Sequence, residues 1–193
     1  MVQLKPNKYY HIYNRGNNGE KLFYSEANYQ YFIDKFLYHC HHTFEIYAYC
    51  LLGNHFHIVL SVRDLEEQER LYLEREIKTK TLQPASKHLS HLFNAYSQSI
   101  NKQVGRTGSL FQKNFKRKEI DSEEYFRQMV IYAHLNPLKH GFNKAYDAYP
   151  YSPYPVYLNF DHTFVNREKT LDIFGGKENF LTAHKEEAKK FQK

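Results

Sequence analysis

The sequence predicts an α+β fold in which helices pack on one face of an antiparallel sheet. Three observations lead to this prediction. Strand-like and helix-like segments follow one another in the order β, α, β, β, α, β, α, which a ferredoxin-like (RRM-like) arrangement accommodates. The middle two strand-like runs are separated by a short turn, as in a hairpin. The chain of 193 residues is long enough for one sizeable core and too short for two full domains.

The N-terminal third supplies three of the strands and one helix. Residues 8–16 are rich in strand-forming residues and end in a turn signal of Gly and Asn. Residues 26–40 repeat apolar residues at helical spacing, and Ser25 is available as the N-cap. Residues 44–50 and 55–62 are strand-like, so we expect them to pair as an antiparallel hairpin.

The rest of the chain supplies the remaining helices and a basic strand. Residues 64–80 are highly charged, which predicts a solvated helix or excursion. An amphipathic pattern predicts a helix over 84–104. We interpret residues 109–121 as a basic strand and residues 122–136 as a helix with Asp121 as its N-cap.

The organisation of the chain follows from these elements. We predict one domain over residues 1–155 and a C-terminal extension over 156–193, which has weaker patterning and ends in a charged, helix-like run. No apolar run approaches membrane-spanning length, so no membrane partner is expected. The only two cysteines are not in a CxxC spacing, which favours reduced thiols and a cytoplasmic protein.

Composition favours a polyanionic partner. The chain has 27 Lys and Arg against 21 Asp and Glu, a formal net charge of +6. It also has 18 Tyr and 15 Phe, flat side chains that stack on bases or, more commonly, fill a core. A basic surface with many aromatic side chains is compatible with nucleic-acid binding.

Two histidines open the strand that is predicted over residues 55–62. Side chains alternate along a strand, so His55 and His57 share one face, opposite the face of Phe56. We expect the apolar face to take the helices and the histidine face to hold the site. Two imidazoles at this spacing can share one metal ion. With 12 His in the chain, a pair of exposed or hydrogen-bonded strand histidines is the plainer alternative.

A second candidate cluster lies in the helix over 122–136, in the stretch YAHLNP. Tyr132 and Asn136 are four residues apart, so they point to the same side of a helix. The amide oxygen of Asn136 is a candidate third metal ligand. The alternatives are a tyrosine packed in the core and an Asn-Pro pair that closes the helix.

Basic and aromatic residues suggest how a nucleic acid is held. Four basic residues within six positions are typical of a surface that follows phosphates, and the Phe between them offers a stacking platform. A solvated basic strand is the alternative for each of them. Further candidate contacts lie at the end of the first strand and after Asn136. The predicted DNA-binding residues are Asn14, Arg15, Lys113, Phe115, Lys116, Arg117, Lys118 and Lys139.

Four stretches of the sequence carry a resemblance to a known family. They are HIYNRGNN (11–18), GNHFHIVL (53–60), residues 92–118 and YAHLNPLKHGF (132–142). With these stretches in this order and spacing, the first 150 residues or so resemble the HUH-superfamily single-tyrosine transposases, especially the REP-associated tyrosine transposases. By resemblance, His55 and His57 match the two metal-binding histidines, and Tyr132 matches the nucleophile.

The resemblance implies a specific chemistry. Asn136 falls where the family carries its third, amide-type metal ligand, and the cofactor would be a divalent metal ion, Mg²⁺ or Mn²⁺. The implied activity is nicking and rejoining of single-stranded, hairpin-associated DNA through a covalent 5′-phosphotyrosine. The family includes dimers whose tyrosine works in trans as well as monomers, so a homodimer and a monomer both remain open.

Two other functions compete with this interpretation. The first is a non-catalytic nucleic-acid-binding module on the same sheet, which a Tyr132 pointing into the core or lying far from the histidines would favour. The second is a metal-dependent phosphoesterase that activates water, which would show multiple turnovers and no covalent adduct.

Overall fold

A four-stranded antiparallel sheet forms the centre of the protein. The computed structural model describes residues 2–74, 82–142, 145–159 and 162–191. The spatial strand order is β2-β3-β1-β4, and every neighbouring pair is antiparallel, which confirms the predicted α+β, ferredoxin-like class. The strands are β1 (Tyr9–Arg15), β2 (Phe44–Leu52), β3 (His55–Val62) and β4 (Lys116–Ile120).

Helices lie on both faces of this sheet, whereas the sequence predicted them on one face only. Helices α1 and α3 cover the face that contains Phe56, whose ring lies 5.4 Å from that of Phe32 on α1 and 5.5 Å from that of Phe93 on α3. Helix α4 crosses the opposite face, where the rings of Tyr132 and His57 are 5.2 Å apart. The helices are α1 (Glu26–Cys40), α2 (Leu65–Glu74), α3 (Ala85–Val104), α4 (Glu123–Lys139), α5 (Arg167–Ile173) and α6 (Lys177–Ala188).

The core holds the sheet rigidly beneath the histidine face. Ile12, Phe32, Phe56 and Tyr96 are fully buried, and each such side chain contributes about 1.5–3 kcal/mol on burial. The Tyr96 hydroxyl donates a 2.8 Å hydrogen bond to the carbonyl of Leu22, which ties α3 to the segment before α1. The strands that carry the histidines are therefore fixed from behind by packed aromatic side chains.

The predicted basic strand over 109–121 is shorter in the structure. Only Lys116–Ile120 form β4, and the preceding residues make a loop that follows the end of β1. In this loop the amide of Gln112 donates to the carbonyl of Arg15 over 2.9 Å. A positive φ of 64° at Asn114 breaks the extended conformation just before β4 begins, since non-Gly residues adopt this region only in turns.

Helix α4 departs from the prediction at both ends. Its N-cap is Ser122, whose hydroxyl accepts from the amide of Tyr125, so the predicted Asp121 cap is wrong. The helix also runs past Pro137 to Lys139. Proline in the last turn sacrifices one backbone hydrogen bond, while the amides of His140 and Phe142 still bond back to carbonyls of this turn. The extra turn carries Lys139 onto the helix.

The C-terminal segment packs against the rest of the protein. The carbonyl of Ile46 on β2 accepts from the amide of Asn166 over 2.8 Å, and His184 of α6 contacts His134 of α4. The charged region predicted as helical over 64–80 forms α2, and its residues 75–80 lie outside the described residues. The predicted boundary at residue 155 stays a prediction. No helix among the described residues is long and apolar enough to cross a membrane.

Candidate active site: a histidine cleft beside Tyr132

His55 and His57 project from the same face at the start of β3. They follow the turn at Gly53 and Asn54, and cross-strand pairing places them opposite Arg15 and Tyr13 of β1. Their ring centroids are 5.4 Å apart, with the planes nearly perpendicular. The strand alternation thus brings the two imidazoles together as the sequence predicts.

Each of these histidines has its Nδ1 atom held by a neighbour. His55 Nδ1 lies 2.7 Å from Asn54 Oδ1, and because an amide oxygen only accepts, Nδ1 carries the proton and Nε2 keeps its lone pair. His57 Nδ1 lies 2.9 Å from Nε2 of His11. When His57 donates in this bond, its Nε2 is likewise available. Metal-binding histidines ordinarily donate their second ring nitrogen in this manner.

His11 was not among the residues predicted from the sequence. It lies on β1, two residues from Tyr13, which pairs with His57, and it is buried with 6% exposure. The alternation of HIYNR already places His11, Tyr13 and Arg15 on one face. The strand register was needed to put that face beside His57.

Tyr132 reaches the histidines from α4. Its ring centroid lies 5.2 Å from that of His57 and 5.9 Å from that of His11, edge to face in both cases. Lys139, two turns further along the helix, places Nζ 4.7 Å from the centroid of the Tyr132 ring. The structure therefore brings the predicted nucleophile, a cation and the histidines into one place.

Asn136 supplies a buried oxygen that accepts no well-formed hydrogen bond from the described residues. Its Nδ2 donates to the carbonyl of Tyr132 over 2.9 Å, which fixes the amide orientation. Its Oδ1 is buried and makes no well-formed hydrogen bond to any described residue. The side chain lies beside His55 and counteracts part of the lowering of that histidine's pKa. An unsatisfied buried acceptor costs about 1–3 kcal/mol, so this oxygen is suited to a ligand that is bound here.

The three clustered histidines are neutral at physiological pH. Burial, helped by the charges of His11, His55, His140 and Lys139, lowers the pKa of His57 to about 2. Burial and nearby positive charges lower the pKa of His55 and of His11 to about 4. Neutral imidazoles keep the lone pairs that metal coordination requires.

His55, His57 and Tyr132 line a cleft of about 540 Å³, which we call the histidine cleft. Among the described residues, no group of three or more His, Cys, Asp or Glu side chains could hold a metal ion. Any metal site here must therefore combine the two histidines with a different ligand, such as the amide of Asn136. The cleft is lined by Tyr13, Asn14, Arg15, Gly19, Asn54, His55, His57, Gln112, Lys116, Tyr132, His140 and Phe142.

The predicted DNA-binding residues divide into two groups. Arg15 and Lys116 line the histidine cleft, and Lys118 shares the face of Lys116, where its charge helps to lower the pKa of His11. Asn14 also borders the cleft, but its buried amide donates to the carbonyl of Gln112 and so supports the loop before β4.

The structure does not bring the remaining predicted contacts together with these. Arg117 points to the opposite face, because it pairs with Ile12, and its guanidinium lies 4.8 Å from the ring centroid of Phe115. Phe115 packs in turn against Phe93 of α3. Lys113 is exposed in the loop before β4.

Comparisons with known proteins agree with this architecture. A putative REP-associated tyrosine transposase of Haemophilus influenzae is 25% identical over 114 residues, which cover 59% of this chain and 61% of that protein. A solved REP-associated tyrosine transposase bound to a REP hairpin superposes with a TM-score of 0.61, 17% identity, and coverage of 85% of this chain and 87% of that one.

The chain resembles the REP-associated tyrosine transposases. This resemblance, predicted from the sequence, is confirmed by a curated relative and by a solved structure of the same fold. The matched region spans 61% of the curated relative's length. A bacterial tRNA(His) guanylyltransferase-like protein in complex with ATP gives a TM-score of only 0.46 with 9% identity. No protein-family model matches the chain.

Proposed function

We propose that the protein nicks and rejoins single-stranded, hairpin-associated DNA through a covalent bond to Tyr132, with a divalent metal ion as cofactor. One observation carries the proposal. The Tyr132 ring lies 5.2 Å from that of His57. One helical turn from Tyr132, the buried Asn136 oxygen accepts no well-formed hydrogen bond from the described residues. A non-catalytic module would have no need for this grouping of nucleophile and ligands.

The residues that are present suit a divalent metal. His55 and His57 would hold it through Nε2, and Asn136 would hold it through Oδ1. A bound Mg²⁺ or Mn²⁺ would act as a Lewis acid that neutralises charge on a phosphodiester oxygen. Two imidazoles and one amide leave further positions open for the substrate. Asn54 and His11 are positioning residues in this proposal, because they fix the ring orientation of the two histidines.

The chain's own groups account for the transfer. The Tyr132 oxygen forms a bond to phosphorus while the bond from phosphorus to the 3′ oxygen breaks, and the phenol proton ends on the released 3′-OH. Tyrosine hydroxyls are mostly protonated at neutral pH, so the attack requires loss of this proton. Reversal by another 3′-OH rejoins the strand. Arg15, Lys116 and Lys139 surround the reacting group with positive charge.

DNA is the partner that this site favours. The solved relative is bound to a REP hairpin, and the net charge of +6 suits a polyanion. We extend hairpin binding to this chain as part of the proposal. Whether the protein acts as a monomer or as a homodimer with the tyrosine in trans stays a prediction.

The test is adduct formation on DNA. A pool of labelled hairpin oligonucleotides with randomised single-stranded flanks is incubated with the protein and Mg²⁺ or Mn²⁺, and the products are separated on a denaturing gel. We expect a protein–DNA adduct that forms only with metal. The amount of DNA cleaved should not exceed one strand for each protein molecule. Cleavage with multiple turnovers and no adduct would instead indicate a phosphoesterase that activates water. Binding without cleavage at any metal concentration would indicate a non-catalytic module.

A further inference from the structure

A second cavity lies on the other side of Tyr132 from the histidine cleft. It measures about 360 Å³ and lies between α4 and the end of the C-terminal segment. Tyr132 belongs to the walls of both cavities, so the two adjoin at the nucleophile. We call it the C-terminal cavity. Its lining residues are Gln128, Met129, Ile131, Tyr132, Leu135, Lys139, Glu187, Lys190 and Phe191.

The walls of the C-terminal cavity combine an apolar surface with a charged rim. Met129, Ile131 and Leu135 of α4 form one apolar wall, and the half-buried Phe191 faces it from the C-terminal segment. The C-terminal cavity therefore suits a flat, partly apolar ring system. Aromatic and apolar side chains stack on nucleobases irrespective of the base sequence.

The rim carries groups that suit the polar parts of a nucleotide. Lys190 forms a 2.6 Å ion pair with Glu187, whereas Lys139 forms no ion pair with any described carboxylate and lies over the Tyr132 ring. The Lys139 ammonium is therefore available to a phosphate. Gln128 is exposed at the edge, where its amide can both donate to and accept from the edge of a base.

We propose that the C-terminal cavity binds the base of a nucleotide next to the phosphate that Tyr132 attacks. The inference rests on the proposed function, because it places the attacked phosphate at the boundary between the two cavities. Turning a base out of a single strand costs little, since no pairing is lost. In this arrangement the C-terminal segment, through Phe191, contributes to the choice of cleavage position.

Abasic substitution in the DNA tests this subsite. A substrate taken from the adduct-forming or binding pool is remade with one abasic site, moved one position at a time along its single-stranded flank. Affinity is measured without metal, and the rate of adduct formation is measured with metal. For the native protein we expect a loss of about tenfold at one position, which is the size of one base-stacking contact. That position should adjoin the cleaved phosphate on its 5′ or 3′ side.

Two variants change the cavity in opposite ways. Phe191→Ala removes the stacking wall, and Met129→Trp fills the space. Both should bind the intact DNA about tenfold more weakly, and for both the abasic site at the sensitive position should change affinity by less than about twofold. Phe164→Ala is the matched control, because Phe164 is also half-buried but borders a different cavity. In this control, the abasic site should still weaken binding about tenfold, a loss of affinity that we call the abasic penalty.

The outcomes separate the subsite from the proposed chemistry. An abasic penalty that is the same in the native protein and in both cavity variants would overturn the subsite, whether or not adducts form. So would the absence of any sensitive position beside the cleaved phosphate. Failure to form an adduct counts against the proposed function alone, because the affinity measurements without metal still report on the cavity.

Discussion

Two histidine pairs contact helix α4, and their bonds are nearly identical. In the histidine cleft, Nδ1 of His57 lies 2.9 Å from Nε2 of His11. In the core, Nδ1 of His134 lies 3.0 Å from Nε2 of His184. The difference lies in what surrounds them, since His57 and His11 keep 7% and 6% exposure beside a cleft, whereas His134 and His184 have none.

The two ring nitrogens outside the bond of the buried pair explain why this pair cannot bind a metal ion. His184 Nδ1 donates to the carbonyl of Phe180 over 2.7 Å, so its Nε2 accepts from His134. The outer Nε2 of His134 is buried among aromatic rings with no hydrogen bond to a described residue. This pair joins α4 to α6. One histidine of such a pair is therefore a candidate metal ligand only where its free nitrogen faces an open space.

The largest effect on the rate of adduct formation should come from changing His57, whereas changing His184 should reduce only stability. His57→Ala should lower the rate of adduct formation by more than about 100-fold, because it removes a proposed metal ligand. DNA affinity should stay within about twofold, since phosphate contacts dominate binding. His184→Gln should keep the adduct rate and lose about 1–3 kcal/mol of unfolding free energy. Denaturing gels and urea unfolding measure the two quantities. Equal loss of the adduct in both variants would abolish the distinction between the pairs.

The positioning of the cleft histidines should have the next largest effect. Asn54→Leu removes the acceptor for His55 Nδ1, and His11→Phe removes the partner of His57 Nδ1. Each should weaken Mn²⁺ binding about 10- to 100-fold, the usual effect of losing such a partner. Asn54→Asp and His11→Gln keep an acceptor and should restore most of the affinity. Isothermal titration calorimetry measures the Mn²⁺ affinity without any DNA. A loss of affinity that the conservative variants do not restore would indicate that Asn54 and His11 have only a structural role.

Strand β4 allows the same comparison between its two faces. Lys116 and Lys118 lie on the cleft face and Arg117 on the other, although all three are neighbours in sequence. Lys116→Ala with Lys118→Ala should reduce the salt dependence of DNA binding by a slope of about 1.4, or about 0.7 for each phosphate contact on a single strand. Arg117→Gln should leave the slope unchanged. A reversed result would place the DNA on the face that α1 and α3 cover.

The smallest effect concerns the pH dependence of stability. Burial lowers the pKa of His184 to about 4, below the unfolded value of about 6.5. The unfolded chain therefore binds more protons between pH 6.5 and 4, and this contribution to stability is complete above pH 6.5 and lost as the pH falls toward 4. The His184→Gln variant should lose stability less steeply over this window, by on the order of 1 kcal/mol per pH unit. Parallel slopes for the native protein and the variant would show that His184 does not contribute.

Local periodicity predicted much of the fold and the core of the site. The two-residue repeat of β3 placed His55 and His57 on one face, and the four-residue spacing placed Tyr132 and Asn136 on one side of α4. The same alternation separates Arg117 from its neighbours, which a count of basic residues had grouped together. Within β3 and α4, periodicity thus located side chains on the face where the structure has them.

Contacts between distant segments could not be predicted in this way. The role of His11 depends on the register between β1 and β3, which no local pattern contains. The approach of Phe191 to Tyr132 depends on how α6 packs on α4. Pro137 misled the prediction for the helix end, because the last turn tolerates the loss of one backbone hydrogen bond.

Mapping the covalently modified residue tests the central claim most directly. The protein is incubated with metal and cleavable hairpin DNA, the adduct is digested with nuclease and protease, and the nucleotide-bearing peptide is sequenced by mass spectrometry. The phosphate should be on Tyr132, and Tyr132→Phe should bind DNA normally but form no adduct, since it removes a single oxygen. Tyr125→Phe, on the same helix, should retain activity. A phosphate on any other tyrosine, or an undiminished adduct with Tyr132→Phe, would contradict the account.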